Sequence, residues 1–280
     1  MEIVFNKVSF VINKNTPLEK TILNNISFSI VNPGVYSFIG SSNSGKTAIG
    51  DLISFLHAPT KGDVKIGRYK NNGKYKKTIK KIRSQIGYVF KNPYDMFFND
   101  TVKKELSYSI DEFEYKKEKK EKRILEALKL VDLDSSYLNK NPRELNLVDA
   151  KKIALACILI YNPKLIILDE ITNGLSVTDK NKLIRLFRIL KNKYRKTIIL
   201  LTKDTSFAYQ ITDYVYLMSY TRLVGSGKKN LLENIELLKN INLEPPKIVS
   251  FVNAYNKKGR DLNYYSNVLD LIKGVYRDVF

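Results

Sequence analysis

Gly40-Ser41-Ser42-Asn43-Ser44-Gly45-Lys46-Thr47 decides how this 280-residue chain is read. The stretch has the spacing G-x-x-x-x-G-K-[ST], and it lies between an apolar run at 35–39 and a helical pattern over 46–56. Glycine at both ends lets the backbone fold tightly, so that successive N–H groups turn toward one point. The start of the following helix aims the positive end of its dipole at the same point. Such a concavity takes phosphate. Gly40, Ser41, Ser42, Asn43, Ser44, Gly45, Lys46, Thr47 and Ala48 are therefore candidate binding residues, with the Lys46 ammonium reaching the outer phosphates and the Thr47 hydroxyl ligating Mg2+.

A second run, Leu165-Ile166-Ile167-Leu168-Asp169-Glu170, supports the first. Four apolar residues of a buried strand carry two carboxylates to its C-terminal end, where α/β sheets bind ligands. Asp169 is the candidate metal holder beside Thr47, and Glu170 the group that orients or deprotonates an attacking water. An apolar run ending in Asp-Glu is a weak signal alone. Paired with an upstream phosphate loop, it points to a nucleoside triphosphate.

Outward from these two stretches, short strand-like runs alternate with longer helical patterns. Residues 2–11, 26–30, 35–39, 86–90, 165–168, 197–201 and 214–218 read as strands, and 46–56, 112–131, 145–161 and 179–194 as helices. That alternation predicts a mostly parallel sheet covered by helices. The basic stretch 69–83, broken by Asn71-Asn72-Gly73, reads as an exposed hairpin or loop, and the mixed charges of 111–123 as a solvated helix face. After Gly225-Ser226-Gly227 the pattern changes to short amphipathic helices interrupted by Pro245-Pro246 and Gly259, which places a boundary near 227.

Composition narrows the function classes. Lys+Arg 48 against Asp+Glu 28 gives a net charge of +20, which suits an acidic partner such as nucleic acid or anionic lipid, and equally fits a general abundance of Lys, Asn and Ile. One cysteine, Cys157, excludes an internal disulfide and reads as a packed thiol. One histidine, His57, excludes multi-histidine metal sites and reads as a surface or capping residue. No apolar window approaches the roughly 18 residues that cross a bilayer, and the first residues lack a secretory pattern. The expected location is the cytosol or the inner face of a membrane.

Taken together, these motifs resemble the ATP-binding subunit of an ABC transporter over the first 225 residues or so. Ile86 to Pro93 is similar to that family's Q-loop segment, and Leu168-Asp169-Glu170-Ile171-Thr172-Asn173-Gly174-Leu175 to its L-D-E-P-T-x-G-L stretch. Thr16-Pro17-Leu18-Glu19-Lys20 and the tail, from Asn240 to Lys247 and from Gly259 to Leu262, resemble the energy-coupling factor (ECF) type. The resemblance implies an α/β P-loop NTPase fold of ABC type at 1–227. It comprises a mostly parallel sheet, an antiparallel β subdomain and a helical subdomain at about 95–162, with a helical extension at 228–280.

Where this chain departs from the family, the departures fall on hydrolysis. Lys91 stands at the Q-loop glutamine, Lys203 at the switch histidine, Ser176 at the D-loop aspartate, and Ile12 at the aromatic that stacks on adenine. The signature L-S-G-G-Q aligns with Leu145-Asn146-Leu147-Val148-Asp149, which brings bulk and negative charge to a phosphate clamp. By resemblance such ATPases work as dimers, each ATP lying between one phosphate loop and the other chain's signature. The implied assembly is ATP and Mg2+ on this degenerate half, a second ATPase with an intact signature, an integral membrane scaffold, and a substrate-binding membrane subunit for a vitamin or similar micronutrient. Asp95, beyond Lys91, is a candidate partner for a basic coupling helix. Soluble ABC ATPases acting on nucleic acid or ribosomes usually carry two cassettes per chain, and one phosphate loop is present here, so no nucleic-acid partner is expected. A third reading is a nucleotide-binding structural subunit without turnover.

Overall fold

The structure is a computed structural model that describes residues 1–73, 79–111 and 117–279. Its strands are β1 (Ile3–Ile12), β2 (Lys20–Ile30), β3 (Val35–Gly40), β4 (Lys61–Ile66), β5 (Tyr69–Asn71), β6 (Ile86–Val89), β7 (Leu165–Asp169), β8 (Thr197–Thr202), β9 (Tyr214–Ser219) and β10 (Arg222–Lys228). Its helices are α1 (Lys46–Ile53), α2 (Ile79–Arg83), α3 (Val102–Tyr108), α4 (Lys117–Leu130), α5 (Leu147–Leu159), α6 (Val177–Asn192), α7 (Thr205–Ile211), α8 (Ile235–Asn240), α9 (Lys247–Asn256) and α10 (Val268–Val279).

A six-stranded sheet in the order β10-β9-β3-β8-β7-β6 is parallel except for the β9–β10 hairpin. Every residue of β7 and β8 is buried, which is why both read as unbroken apolar runs rather than alternating ones. A second, antiparallel sheet has the order β2-β1-β4-β5. Its inner face and α1 cover one side of the main sheet, where Phe38 stacks on Tyr216 at 4.7 Å between ring centroids and Phe28 packs against both at 5.0 and 5.1 Å. Helices α3 to α6 cover the other side around Ile153, Ala154, Phe187, Ile198 and Leu200. β8 lies between β3 and β7, so the turns leaving β3 and β7 open at one sheet edge, two strands apart.

Several elements differ from their sequence reading, each for a local reason. β2 starts at Lys20 rather than 26, because register shifts against β1 absorb the polar Asn24-Asn25 pair that hides the alternation. α1 stops at Ile53 instead of reaching 56: Phe55 takes φ 60°, and the Asn71 amide donates to the Leu52 and His57 carbonyls. His57 lies exposed beyond that turn, as a surface residue. Asn146 caps α5, so the helix begins at Leu147 rather than 145. The basic stretch 69–83 holds β5 and α2, and its middle, 74–78, lies outside the described residues, as do 112–116 of the helix read at 112–131. Cys157 is buried, and burial pushes its thiol up to about 12.

The tail is not separately cored at its start. Residue 227 falls inside β10, and Leu232, Leu238, Ile241, Leu243 and Val249 share one apolar cluster with Ile39, Ala208, Tyr209, Val215 and Leu217. The Thr205 hydroxyl donates to the Glu244 carbonyl at 2.7 Å, and Tyr209 to the Glu233 carboxylate at 2.6 Å. Only beyond Val249 does a small cluster of its own form, around Val252, Leu262 and Leu271. Among the described residues no helix is long and apolar enough to cross a membrane.

Candidate functional site

Backbone geometry builds the site first. β3 ends at Gly40, and the turn to α1 passes through Asn43 at φ 62° and Gly45 at φ 97°. A Cβ on Gly45 would lie 2.7 Å from the Ile22 carbonyl oxygen, so both the conformation and the space demand glycine. Ser42, Asn43, Ser44, Gly45, Lys46, Thr47 and Ala48 line an open cavity of about 700 Å³ together with Lys91, Asp169 and Glu170. Gly40 and Ser41 serve differently: their carbonyls accept from the Lys46 ammonium at 2.7 and 2.8 Å, and the Ser44 hydroxyl accepts at 3.4 Å.

Charge is concentrated at this mouth. Lys46 Nζ lies 4.0 Å from Glu170 Oε1. Burial lowers the Lys46 pKa from its ordinary value; Glu170 and Asp169 oppose that shift, while Lys91 and Lys203 add to it. The Thr47 hydroxyl donates to Asp169 Oδ2 at 2.6 Å. Burial raises the Asp169 carboxyl to about 6, against the pull of that hydrogen bond. A hydroxyl and a carboxylate this close are the kind of sparse, oxygen-only donor pair that would suit Mg2+, and Thr47 and Asp169 are the residues that would hold it. Among the described residues no cluster of three or more His, Cys, Asp and Glu side chains suits a metal, so this pair is of the sparse kind.

Glu170 stands at φ 45°, a left-handed conformation that costs a non-glycine residue on the order of 1–3 kcal/mol. Its Oε2 accepts from the Thr202 hydroxyl at 3.3 Å and from the Lys203 N–H at 3.4 Å. Lys203 thus meets the site through its backbone, and its side chain is exposed. Ile12 is not on the cavity wall. It ends β1 opposite Lys20, and Lys20, Thr21, Ile22 and Thr221 supply the wall on that side. None of these four is a candidate site residue in the sequence, because they belong to a β2 start and a β9–β10 turn that only pairing reveals.

With the site in place, comparison with known proteins is informative. Residues 23–173 match the family described as ABC transporter. Over 264 residues the chain is 34% identical to the energy-coupling factor transporter ATP-binding protein EcfA2 of Streptococcus agalactiae, covering 94% of each. It is 32% identical to the protein of that name in Mycoplasma capricolum, covering 93% of this chain and 91% of the relative. This chain belongs to the ABC transporter ATP-binding proteins of energy-coupling factor type. Its fold agrees: an ATP-binding cassette solved as a dimer in a post-hydrolysis state with ADP and Pi superposes with a TM-score of 0.75 at 25% identity, over 81% of this chain and 98% of that one.

In this ECF-type ATPase the signature-aligned turn is folded on itself. Asn146 accepts from the Asp149 N–H at 3.0 Å and donates to the Asp149 carboxylate at 2.9 Å. Tyr137 donates to the same oxygen at 2.9 Å. The exposed positive end of α5 is therefore met by the chain's own amide and carboxylate, and Leu147, 39% exposed, projects beside them. At the Q-loop position, Lys91 is exposed at the rim shared by the phosphate cavity and a groove lined by Phe90, Asn92 and Asp95. Asp95 is exposed and accepts from the Asn92 amide at 2.8 Å.

Proposed function

We propose that this chain binds MgATP as the degenerate half of a heterodimeric ATPase pair in an ECF-type ABC importer for a vitamin or other micronutrient. One observation carries the reading. Lys46, Thr47, Asp169 and Glu170 converge on one cavity at the open edge of the sheet, while the turn that would serve a partner's ATP is closed by its own Asn146 and Asp149.

Each group has a definite task in this reading. The loop amides and the Lys46 ammonium hold the triphosphate, with Lys46 exchanging the Gly40 and Ser41 carbonyls for phosphate oxygens. Thr47 and Asp169 hold Mg2+, which neutralises phosphate charge when bound. Glu170 aligns the attacking water and accepts its proton. Lys91 and Lys203 add positive charge in place of a glutamine and a histidine, without an imidazole's geometry or titration. The partner ATPase supplies an intact signature to this chain's nucleotide, and an integral membrane scaffold and a substrate-binding membrane subunit complete the assembly. The chain then acts as a peripheral subunit on the cytoplasmic face of the membrane.

The experiment is gentle membrane extraction of tagged protein, with identification of what accompanies it and calorimetry with MgATP. An integral membrane protein and a second ATPase are expected to co-purify, and heat is expected on adding nucleotide. Salt-sensitive association with RNA or duplex DNA in place of membrane subunits refutes the importer reading.

A further inference from the structure

Lys151 is a buried ammonium that the phosphate site does not use. It lies on α5 among Ala150, Ile153 and Ala154 and is 2% exposed. A lysine there needs partners, since an unpaired buried charge is strongly unfavourable. Its Nζ donates to the carbonyl oxygens of Glu170 at 2.8 Å, Ile171 at 3.3 Å and Asn173 at 2.7 Å. Three protons meet three carbonyls, all belonging to the turn that leaves β7.

That turn contains the strained residue. Glu170 keeps φ 45° although it has no glycine-like tolerance for it. The Asn173 N–H closes the turn on the Glu170 carbonyl at 3.1 Å, and the Glu170 N–H donates to Leu201 at 2.8 Å. The hydrogen bonds that aim its carboxylate are longer, at 3.3 and 3.4 Å. Restraint on Glu170 therefore comes chiefly through its main chain. The next residue of α5 acts in the same sense: Lys152 pairs with Asp179 in the first turn of α6 at 3.1 Å, so the segment between β7 and α6 is tied to α5 at both ends.

We propose that Lys151 is a positioning residue: by gathering the carbonyls of Glu170, Ile171 and Asn173, it holds the left-handed turn that points the Glu170 carboxylate into the phosphate cavity. The inference rests on the role proposed for Glu170 and deepens it. Burial lowers the Lys151 pKa to about 8, with Glu170 and Asp169 opposing, so the charged form still dominates at neutral pH. Lys151→Met keeps an unbranched side chain one atom shorter and removes its donors, and Lys151→Arg keeps a charge with several donors.

The test uses the full-length chain for hydrogen exchange and MgATP calorimetry, and the co-purified complex for hydrolysis. In Lys151→Met the amides of 170–175 are expected to exchange about tenfold faster or more, while the phosphate loop and MgATP affinity stay within about threefold of wild type. In the complex kcat is expected to fall roughly 10- to 100-fold with little change in KM, and Lys151→Arg to recover most of it. Adding Lys151→Met to Glu170→Gln is expected to cost little more than Glu170→Gln alone, because both act at one carboxylate. Unchanged exchange at 170–175 in a folded variant overturns the proposal, as does a loss confined to KM. Should Lys151→Met not fold, Lys151→Gln, which keeps two donors, is read by the same measurements. If Glu170→Gln leaves turnover of the complex intact, the role given to Glu170 fails, while the exchange measurement still decides whether Lys151 holds the turn.

Discussion

The turn into α1 and the turn into α5 are built alike and kept differently. Both place a helix N-terminus at the protein surface, where orphan N–H groups favour an anion. At α1 the chain leaves those groups open: Gly45 admits the backbone, and Lys46 and Thr47 bring side chains that a phosphate and a metal can use. At α5 the chain closes them, through Asn146 as cap and Asp149 in the first turn, held by Tyr137. One helix start is kept for a ligand and the other is made self-sufficient. In the importer reading proposed above, the nucleotide site is retained on one face of the chain while the face offered to a partner is given up.

The sharpest way to break this contrast is Lys46→Ala. It removes the buried ammonium from the open turn, and MgATP affinity is expected to fall roughly 100-fold or more, measured by calorimetry. Unchanged affinity would falsify the phosphate-loop assignment. Gly45→Ala attacks the same turn through its backbone. With φ 97° and a carbonyl 2.7 Å from the new Cβ, it is expected to destabilise the fold by about 2–3 kcal/mol in chemical denaturation, with nucleotide binding lost alongside.

Restoring the closed turn sharpens the comparison from the other side. Asn146→Ser, Leu147→Gly, Val148→Gly and Asp149→Gln together are expected to leave this chain's own MgATP affinity within about twofold. They are expected to raise ATP turnover of the complex several-fold, because the partner's nucleotide gains its clamp. A rise in turnover of this chain in isolation would contradict the division of labour between the two turns.

A smaller effect separates the turns by pH. Asp169 titrates near 6 in the folded chain, above its unfolded value of 3.8, so its contribution to stability is present below pH 3.8 and lost as pH rises through 6. At neutral pH the open turn therefore carries a buried carboxylate that a bound cation relieves. The rise in melting temperature on adding MgATP is expected to be larger at pH 7.5 than at pH 5.5, by a few degrees. An equal rise at both values would detach Asp169 from the metal.

Much of the open turn was legible because its constraints are local. Eight consecutive residues specify a loop, a cation and a helix start, and the apolar run before Asp169 specifies a buried strand. The edge of the site was not legible. Lys20, Thr21, Ile22 and Thr221 reach the cavity through the β1–β2 register and the β9–β10 turn, and Ile12 is the cross-strand partner of Lys20. Long-range packing shapes the tail as well: its composition changes after 227, and its first apolar residues complete a cluster begun at Ile39.

Taken alone, the chain of letters pointed to the family and the parallel sheet and named the candidates for holding a triphosphate, since spacing and residue type act over a few bonds. Tertiary structure alone decided that Asp149 bonds inward to Tyr137 and Asn146, that Lys203 faces Glu170 with its backbone, and that Lys151 gathers three carbonyls of the Glu170 turn. Those outcomes depend on which groups meet across helices and strands distant in sequence, and a hydrogen bond acts only over its own length of about 3 Å.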